Sequence, residues 1–172
     1  MLRLVTPVVI ALALAGCATS NTRPSQLARA ELVNAAGSAV GTAVLTRTGN
    51  ETVINLTIKG TPGAVHGLHL HAVGKCEAPF TSAGPHLNPG GRQHGHDNPL
   101  GAHLGDLPNV SIGQNGIGTA SASLGMDKAA IDAALFDADG TAIVLHAAAD
   151  DYRTDPSGNS GARIGCGALT RV

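Results

Sequence analysis

The chain has 172 residues, about one domain's worth, and its 43% hydrophobic content is enough for a single core. That core must be filled by Val, Ile, Leu and Ala, because there is no Trp, one Tyr and two Phe, while 23 Gly and 9 Pro imply many turns in place of long helices. A formal charge of −1 without any run of like charges excludes the basic surface that nucleic acid requires.

Residues 1–17, MLRLVTPVVIALALAGC, place one Arg before an apolar run ending in small residues, as a secretory signal does. The run is too short to span a bilayer. Its end, Leu14-Ala15-Gly16-Cys17, resembles the lipobox of bacterial lipoproteins. That resemblance implies a signal peptide over 1–16, cleavage before Cys17, lipidation of its thiol, and a membrane-anchored protein of the bacterial periplasm. Ala18, in place of Asp, points to the outer membrane by the lipoprotein sorting rule. The bland alternatives are an ordinary signal peptide with an incidental Cys17, or a core strand. Cleavage removes Arg3 alone among the charges, leaving 10 basic against 12 acidic side chains, a net −2. With Cys17 assigned to lipid, Cys76 and Cys166 remain in an oxidising compartment and should pair, two free buried thiols being the alternative. Closing a loop of about 90 residues would stabilise the fold by roughly 4 to 5 kcal/mol in the chain-entropy model.

After Cys17, ATSNTRPSQLAR is polar with one Pro, so 17–29 reads as a lipidated tether and 30–172 as the folded domain. Thr52 to Lys59, TVINLTIK, alternates strictly, with Ile54, Leu56 and Ile58 on one face: a half-buried strand. Similar short runs occur at 39–46, 64–72, 109–112, 116–124, 141–147 and 163–170, punctuated by Gly49-Asn50, Asn115-Gly116 and Asp139-Gly140, which favour tight turns. About eight strands with Gly-rich connections describe an all-β sandwich or barrel. MDKAAIDAAL, 126–135, has helix propensity alone in its favour and stays open. Asp137-Ala138-Asp139-Gly140 faintly resembles a calcium loop, but Ala148 stands where such a loop needs a Glu, so a turn is expected.

The chemistry lies in the histidines. In AVHGLHLHA, period-two alternation puts Leu68 and Leu70 on one face and His69 and His71 on the other, so that two imidazoles stand side by side on a rigid strand. Alone, this pattern more often marks an exposed polar face. Residues 85–106, PHLNPGGRQHGHDNPLGAHLGD, are too rich in Gly and Pro for a long helix or a buried strand. Within them His86, His94, His103 and Asp106 fall at intervals of eight, nine and three. Three imidazoles and a carboxylate can fill a closed tetrahedral site suited to zinc. Metal bonds could then order a loop with too little apolar surface of its own, since binding free energy becomes folding free energy. Solvated surface histidines are the competing reading, but seven of the eight histidines lie between 66 and 103, which makes chance clustering a poor account. The eighth, His146, ends the apolar strand TAIVLH, where it could reach the same place. His66, of opposite parity, is expected to pack or support, and His96 to be exposed.

The motifs GLHLHAVGKC, TSAGPHLNP, AHLGDLPN, IVLHAAADD and GNSGARIGCG, in this order over roughly residues 60 to 170, closely resemble those of the copper/zinc superoxide dismutases. The resemblance implies an eight-stranded Greek-key β-barrel with long metal-binding and electrostatic loops. It implies one copper ion on His69, His71, His86 and His146, and one zinc ion on His86, His94, His103 and Asp106, with His86 shared as a bridging imidazolate. It also implies a Cys76–Cys166 disulfide, Arg163 at the mouth of the copper site, and Asp150 hydrogen-bonded to His69 and His94. In the reaction it implies, superoxide is the substrate; one molecule leaves as dioxygen and a second as hydrogen peroxide, with His86 taking up a proton and returning it.

Elementary chemistry agrees: imidazole nitrogens suit copper, and zinc, which has no redox chemistry, can only hold and polarise. The substrate and the protein are both anionic, so attraction must be local, through the copper charge and Arg163, with Arg153 adding and Asp151 and Asp155 opposing; superoxide dismutases are an established example of such focusing. Without the family match, Arg163 would read as an exposed Arg in a Gly-rich loop. Glu77 to Phe80 form an insertion relative to cytosolic eukaryotic members, and the segment from Ala147 to Ala162 is shorter and lacks an obvious lysine pair. These departures touch substrate guidance and the homodimer that the resemblance admits, whose contact uses the Cys76 loop in many members. Rival readings are a non-catalytic copper/zinc-binding lipoprotein for metal storage, a cupin, whose Glu would stand closer to His71 than Glu77 does, and a TIM-barrel zinc hydrolase, excluded by length.

Overall fold

The computed structural model describes residues 23–125 and 127–172. The expected signal peptide over 1–16 and the Cys17 lipid site lie outside the described residues. Among the described residues, no helix is long and apolar enough to cross a membrane.

In chain order the elements are β1 (Ser25–Val33), β2 (Ala39–Thr48), β3 (Glu51–Lys59), β4 (Val65–His66), β5 (Leu68–His71), β6 (Val110–Ser111), β7 (Ile117–Ser123), α1 (Lys128–Leu135), β8 (Ala142–His146), β9 (Arg163–Ala168) and β10 (Thr170–Arg171). The main antiparallel sheet runs β5-β8-β9-β1-β2-β3-β7, with β10 on β1. A second sheet pairs β4 with β6. Since β4 leads straight into β5 and β6 turns into β7 through the Gly113 N–H bond to the Ile117 carbonyl, 3.0 Å, this small sheet links the two ends of the large one. The all-β barrel expected from alternation and Gly-rich turns is the fold observed.

Period-two alternation decides what is inside. On β3, Ile54, Leu56 and Ile58 are buried, as are Leu45 on β2 and Leu68 and Leu70 on β5. The core is aliphatic, as composition requires. β1 has no counterpart among the expected strands and begins inside the expected tether: in SQLARAELV the inward residues are Ala28, Ala30 and Leu32. Alanine is depleted in strands and gives only a weak alternating signal, so pairing with β2 and β10 settles the strand. The undecided stretch 126–135 contains a helix, α1, whose start Asp127 caps by accepting the Ala130 N–H at 2.8 Å. Ile131 and Leu135 seal it on the core, and Asp132 meets the buried Arg47 guanidinium at 3.0 Å.

Around β5 and β8 the outside of the barrel is covered as well. Residues 85–87 and 105–107 pair with the free edge of β5: the Leu87 N–H donates to the Leu70 carbonyl, the Leu70 N–H to Gly105, and the Leu107 N–H to Leu68, at 2.8, 2.8 and 3.2 Å. Gly105 is required here, because a Cβ would run into the Leu70 carbonyl. Leu87 and Leu107 are buried in the main core. The expectation that metal bonds order 85–106 therefore needs amendment: its two ends are held by backbone pairing and by these leucines. A second, smaller core of Phe80, Ala83, Ala142, Val144 and Cys166 covers the other face of β8 and β9, next to the disulfide between Cys76 and Cys166.

Candidate metal centre

His69 and His71 lie opposite Leu68 and Leu70 on β5, so their rings leave the barrel, yet both are 0% exposed because the loops over 85–106 and 147–162 fold across them. His86 is bridged to His71, and Asp106 to His69, by local strand pairing. His146 ends β8, whose register on β5 sets it beside this pair. His69, His71, His86 and His146 each bring one ring nitrogen to within 4.8 Å of the others.

Which nitrogen faces the cluster follows from what the other one does. His71 Nδ1 donates to the Gly84 carbonyl at 2.8 Å. His146 Nδ1 sits 3.2 Å from the Gly161 carbonyl and 3.0 Å from Ser160 Oγ, and His69 Nε2 donates to Asp150 Oδ2 at 2.7 Å. Each such bond fixes a tautomer and leaves a lone pair on the far nitrogen. Those far atoms, His69 Nδ1, His71 Nε2 and His146 Nε2, are buried without any hydrogen-bond partner, and so is His86 Nε2. Four converging orphaned lone pairs are costly in a protein interior unless a cation takes them. An all-imidazole set suits copper.

On the other side of His86 lies a second cluster. Nδ1 of His86, His94 and His103 stand 3.0, 3.0 and 3.1 Å from Asp106 Oδ1, and His86 and His103 are 3.4 Å apart through the same atoms. Ligands of one tetrahedral zinc at bonds of about 2.0 Å are themselves about 3.3 Å apart, so the spacing fits. His94 Nδ1 lies within reach of Asp106 but is not aligned to donate to it, as expected of two ligands facing a common centre. By mutual distance alone His69 also falls in this second group with His86, His94 and Asp106. It has nothing to give there, since Nε2 is engaged by Asp150 and Nδ1 belongs to the first cluster. Asp150 joins the halves: Oδ2 accepts from His69 and Oδ1 accepts from His94 Nε2 at 2.9 Å.

Burial, the largest influence on these rings, lowers the pKa of His71 to about 2, of His86 to about 4 and of His146 to about 3. It lowers His69 too, against the pull of Asp150. They are neutral at pH 7, the form that binds metal. His94 is raised to about 9, because Asp106 and Asp150 together outweigh its desolvation. Both carboxylates are held well below the usual range by their histidine partners, in spite of burial.

The first cluster opens to solvent through a cavity of about 430 Å³ lined in part by His71, His86, His146, Thr81, Ser157 and Arg163. A larger groove of about 770 Å³ lies against α1 on the His86 and His103 side. Arg163 donates through Nη1 to the Phe80 carbonyl at 2.7 Å and through Nη2 to the Gly84 carbonyl at 2.8 Å. Neither acceptor is legible in the sequence, because a main-chain carbonyl carries no side-chain signature, and Ser160 is one small polar residue among several in GNSGAR. His66 Nδ1 donates to the His146 carbonyl at 2.8 Å, and exposed His96 Nε2 to the Asp106 carbonyl at 2.8 Å; both stand beside the clusters and outside them. Arg153 pairs with Asp97, 3.7 Å, on the exposed surface.

Comparison with known proteins gives the same direction. The model of the copper/zinc superoxide dismutase (SODC) family matches residues 39–169. Superoxide dismutase (Cu-Zn) 2 of Aquifex aeolicus is 40% identical over 147 residues, covering 83% of this chain and 85% of that protein. Superoxide dismutase-like protein YojM of Bacillus subtilis is 42% identical over 147 residues, covering 81% and 74%. The crystal structure of a SOD-like protein from Bacillus subtilis superimposes with a TM-score of 0.76 at 38% identity, covering 85% of this chain and all of that one.

Proposed function

This chain belongs to the copper/zinc superoxide dismutase family, and from that premise we propose that it dismutes superoxide to dioxygen and hydrogen peroxide at a copper ion held by His69, His71, His86 and His146. In this reading a structural zinc ion is held by His86, His94, His103 and Asp106. The observation that carries the proposal is the set of four buried, unpartnered ring nitrogens behind a mouth that holds Arg163. When bound, copper would supply the one-electron couple that lets one superoxide lose an electron and a second gain it, and zinc would supply charge and rigidity.

The chain's own residues supply the rest. Arg163 attracts the anion and orients it at the mouth. Asp150 fixes the ring planes of His69 and His94, one from each cluster. His86 is suited to both clusters, with Nε2 unpartnered in the first and Nδ1 against Asp106 in the second. Holding a proton on Nε2 in one half of the cycle and releasing it to the departing peroxide in the other is the role this arrangement supports.

The test is the second-order rate of superoxide decay with protein loaded with one copper and one zinc, against zinc-only protein. A copper-dependent rate near the diffusional range of about 10⁸ to 10⁹ M⁻¹s⁻¹, where superoxide dismutases already stand, supports the reading. Stoichiometric copper at the zinc-only background rate overturns it in favour of metal storage. Anchoring to the bacterial outer membrane through Cys17 belongs to the same proposal and rests on residues 14–18. Labelled palmitate should enter the protein and be lost in Cys17→Ala; equal incorporation in both would remove the anchor.

A further inference from the structure

We propose that the Phe80 ring is a positioning element for Arg163, and that through it the segment inserted before TSAGPH sets how tightly the mouth holds a small anion; the inference rests on the dismutase site described above. Arg163 has no carboxylate partner among the described residues. Two neutral carbonyls, of Phe80 and Gly84, hold it instead, and an Arg has five N–H donors. The guanidinium therefore keeps its full charge and spare donors for an incoming anion, and the direction in which it points follows those two carbonyls.

Besides accepting the Ala83 N–H at 3.3 Å, the Phe80 carbonyl is anchored through its own side chain. The ring is 1% exposed and is the largest residue of the outer core formed with Ala83, Ala142, Val144 and Cys166. Its backbone is left-handed, φ 72°, which a bulky residue adopts only where its surroundings compensate the strain. From the next residue the loop is polar or small, Thr81-Ser82-Ala83, until Gly84, whose carbonyl accepts from both Arg163 Nη2 and His71 Nδ1. Losing the ring leaves this loop without a plug, lets the backbone relax out of the left-handed region, and moves the Arg163 acceptor.

The experiment measures azide affinity for the Cu(II),Zn(II) protein from its visible charge-transfer band, with metal content and thermal midpoint recorded for every variant. Arg163→Ala should weaken azide about tenfold or more, the scale of a hydrogen bond to a charged group, and Phe80→Ala should approach that loss at unchanged copper content. Phe80→Leu, which keeps an apolar plug, should restore most of the affinity; if the Ala variant does not fold, Phe80→Val, with a smaller plug, takes its place and should show a clear partial loss. In the Arg163→Ala background, Phe80→Ala should add nothing further. Unchanged azide binding in Phe80→Ala, or in Phe80→Val where it stands in, or an undiminished Phe80 effect without Arg163, overturns the proposal. Because azide binding needs no turnover, a protein that binds copper and azide without dismuting superoxide would sink the functional reading and leave this one standing.

Discussion

Asp150 divides its two oxygens between one ring of each cluster, so a single side chain sets two orientations. In Asp150→Asn one oxygen becomes an NH₂ that opposes the Nε2–H of its histidine. Affinity for copper or zinc should fall about 10- to 100-fold, as for other partners of metal-bound histidines, in competition titrations against a chelator. Retained affinity would mean that packing alone aims the rings. The pKa shifts carry a second expectation, for the metal-free protein. At neutral pH and above, His71, His86 and His146 are unprotonated both folded and unfolded, so their contribution is intact. Below the ordinary value of 6.5 only the unfolded chain takes up protons, until the folded values of about 2, 4 and 3 are reached. Stability should drop with acid across that window, by up to about 1.4 kcal/mol per pH unit for each ring. His94, raised to about 9, has the opposite sign: its contribution is whole below 6.5 and is lost as pH rises through 9. The urea midpoint of metal-free protein should therefore be lower at pH 5 than at pH 7, and a flat profile would contradict the buried neutral rings.

At the scale of elements, the barrel supplies a rigid wall and the loops supply closure. β5 and β8 offer His69, His71 and His146, while His86, His94, His103 and Asp106 arrive on a loop stapled back to β5. The loop over 147–162 then presses Asp150 between the two sets, and its fit depends on Gly158. That residue has φ 61°, and a Cβ there would overlap the Asp150 carboxylate and His94 Nε2. Gly37 also has positive φ, 80°, but nothing lies near it. Gly37→Ala should cost only the left-handed strain, about 1 to 2 kcal/mol in denaturant unfolding. Gly158→Ala should cost more, and it alone should weaken metal binding. Equal effects on both measurements would show that the 147–162 loop yields without disturbing the centre.

Over the whole molecule, ties between parts distant in sequence hold the fold, among them the sheet, the Arg47–Asp132 pair that fixes α1, and the disulfide across 90 residues. In the chain-entropy model the last is worth roughly 4 to 5 kcal/mol, so Cys76→Ser with Cys166→Ser should lower unfolding free energy by up to that amount. Guanidinium unfolding of the metal-loaded protein would measure it. A loss under about 1 kcal/mol would mean that the unfolded chain is already compact across this span. The disulfide also pins the outer core over β8 and β9, the layer that reaches Arg163.

By itself, the sequence determined the aliphatic core, the alternating strands such as TVINLTIK, the turns, and the residue types that gather at the centre, because periodicity and side-chain chemistry are local properties. It did not reveal β1, whose inward alanines barely alternate in hydrophobicity, nor decide α1, whose helix is completed by Ile131 and Leu135 meeting the core. It assigned the ordering of 85–106 to metal, whereas Leu87, Leu107 and pairing along β5 hold its ends. Only the tertiary structure decided which nitrogen of each ring is free, and that two main-chain carbonyls aim Arg163. Those facts depend on hydrogen bonds between residues as far apart as 69 and 150, or 80 and 163, and a contact across such a span exists only once the barrel has closed.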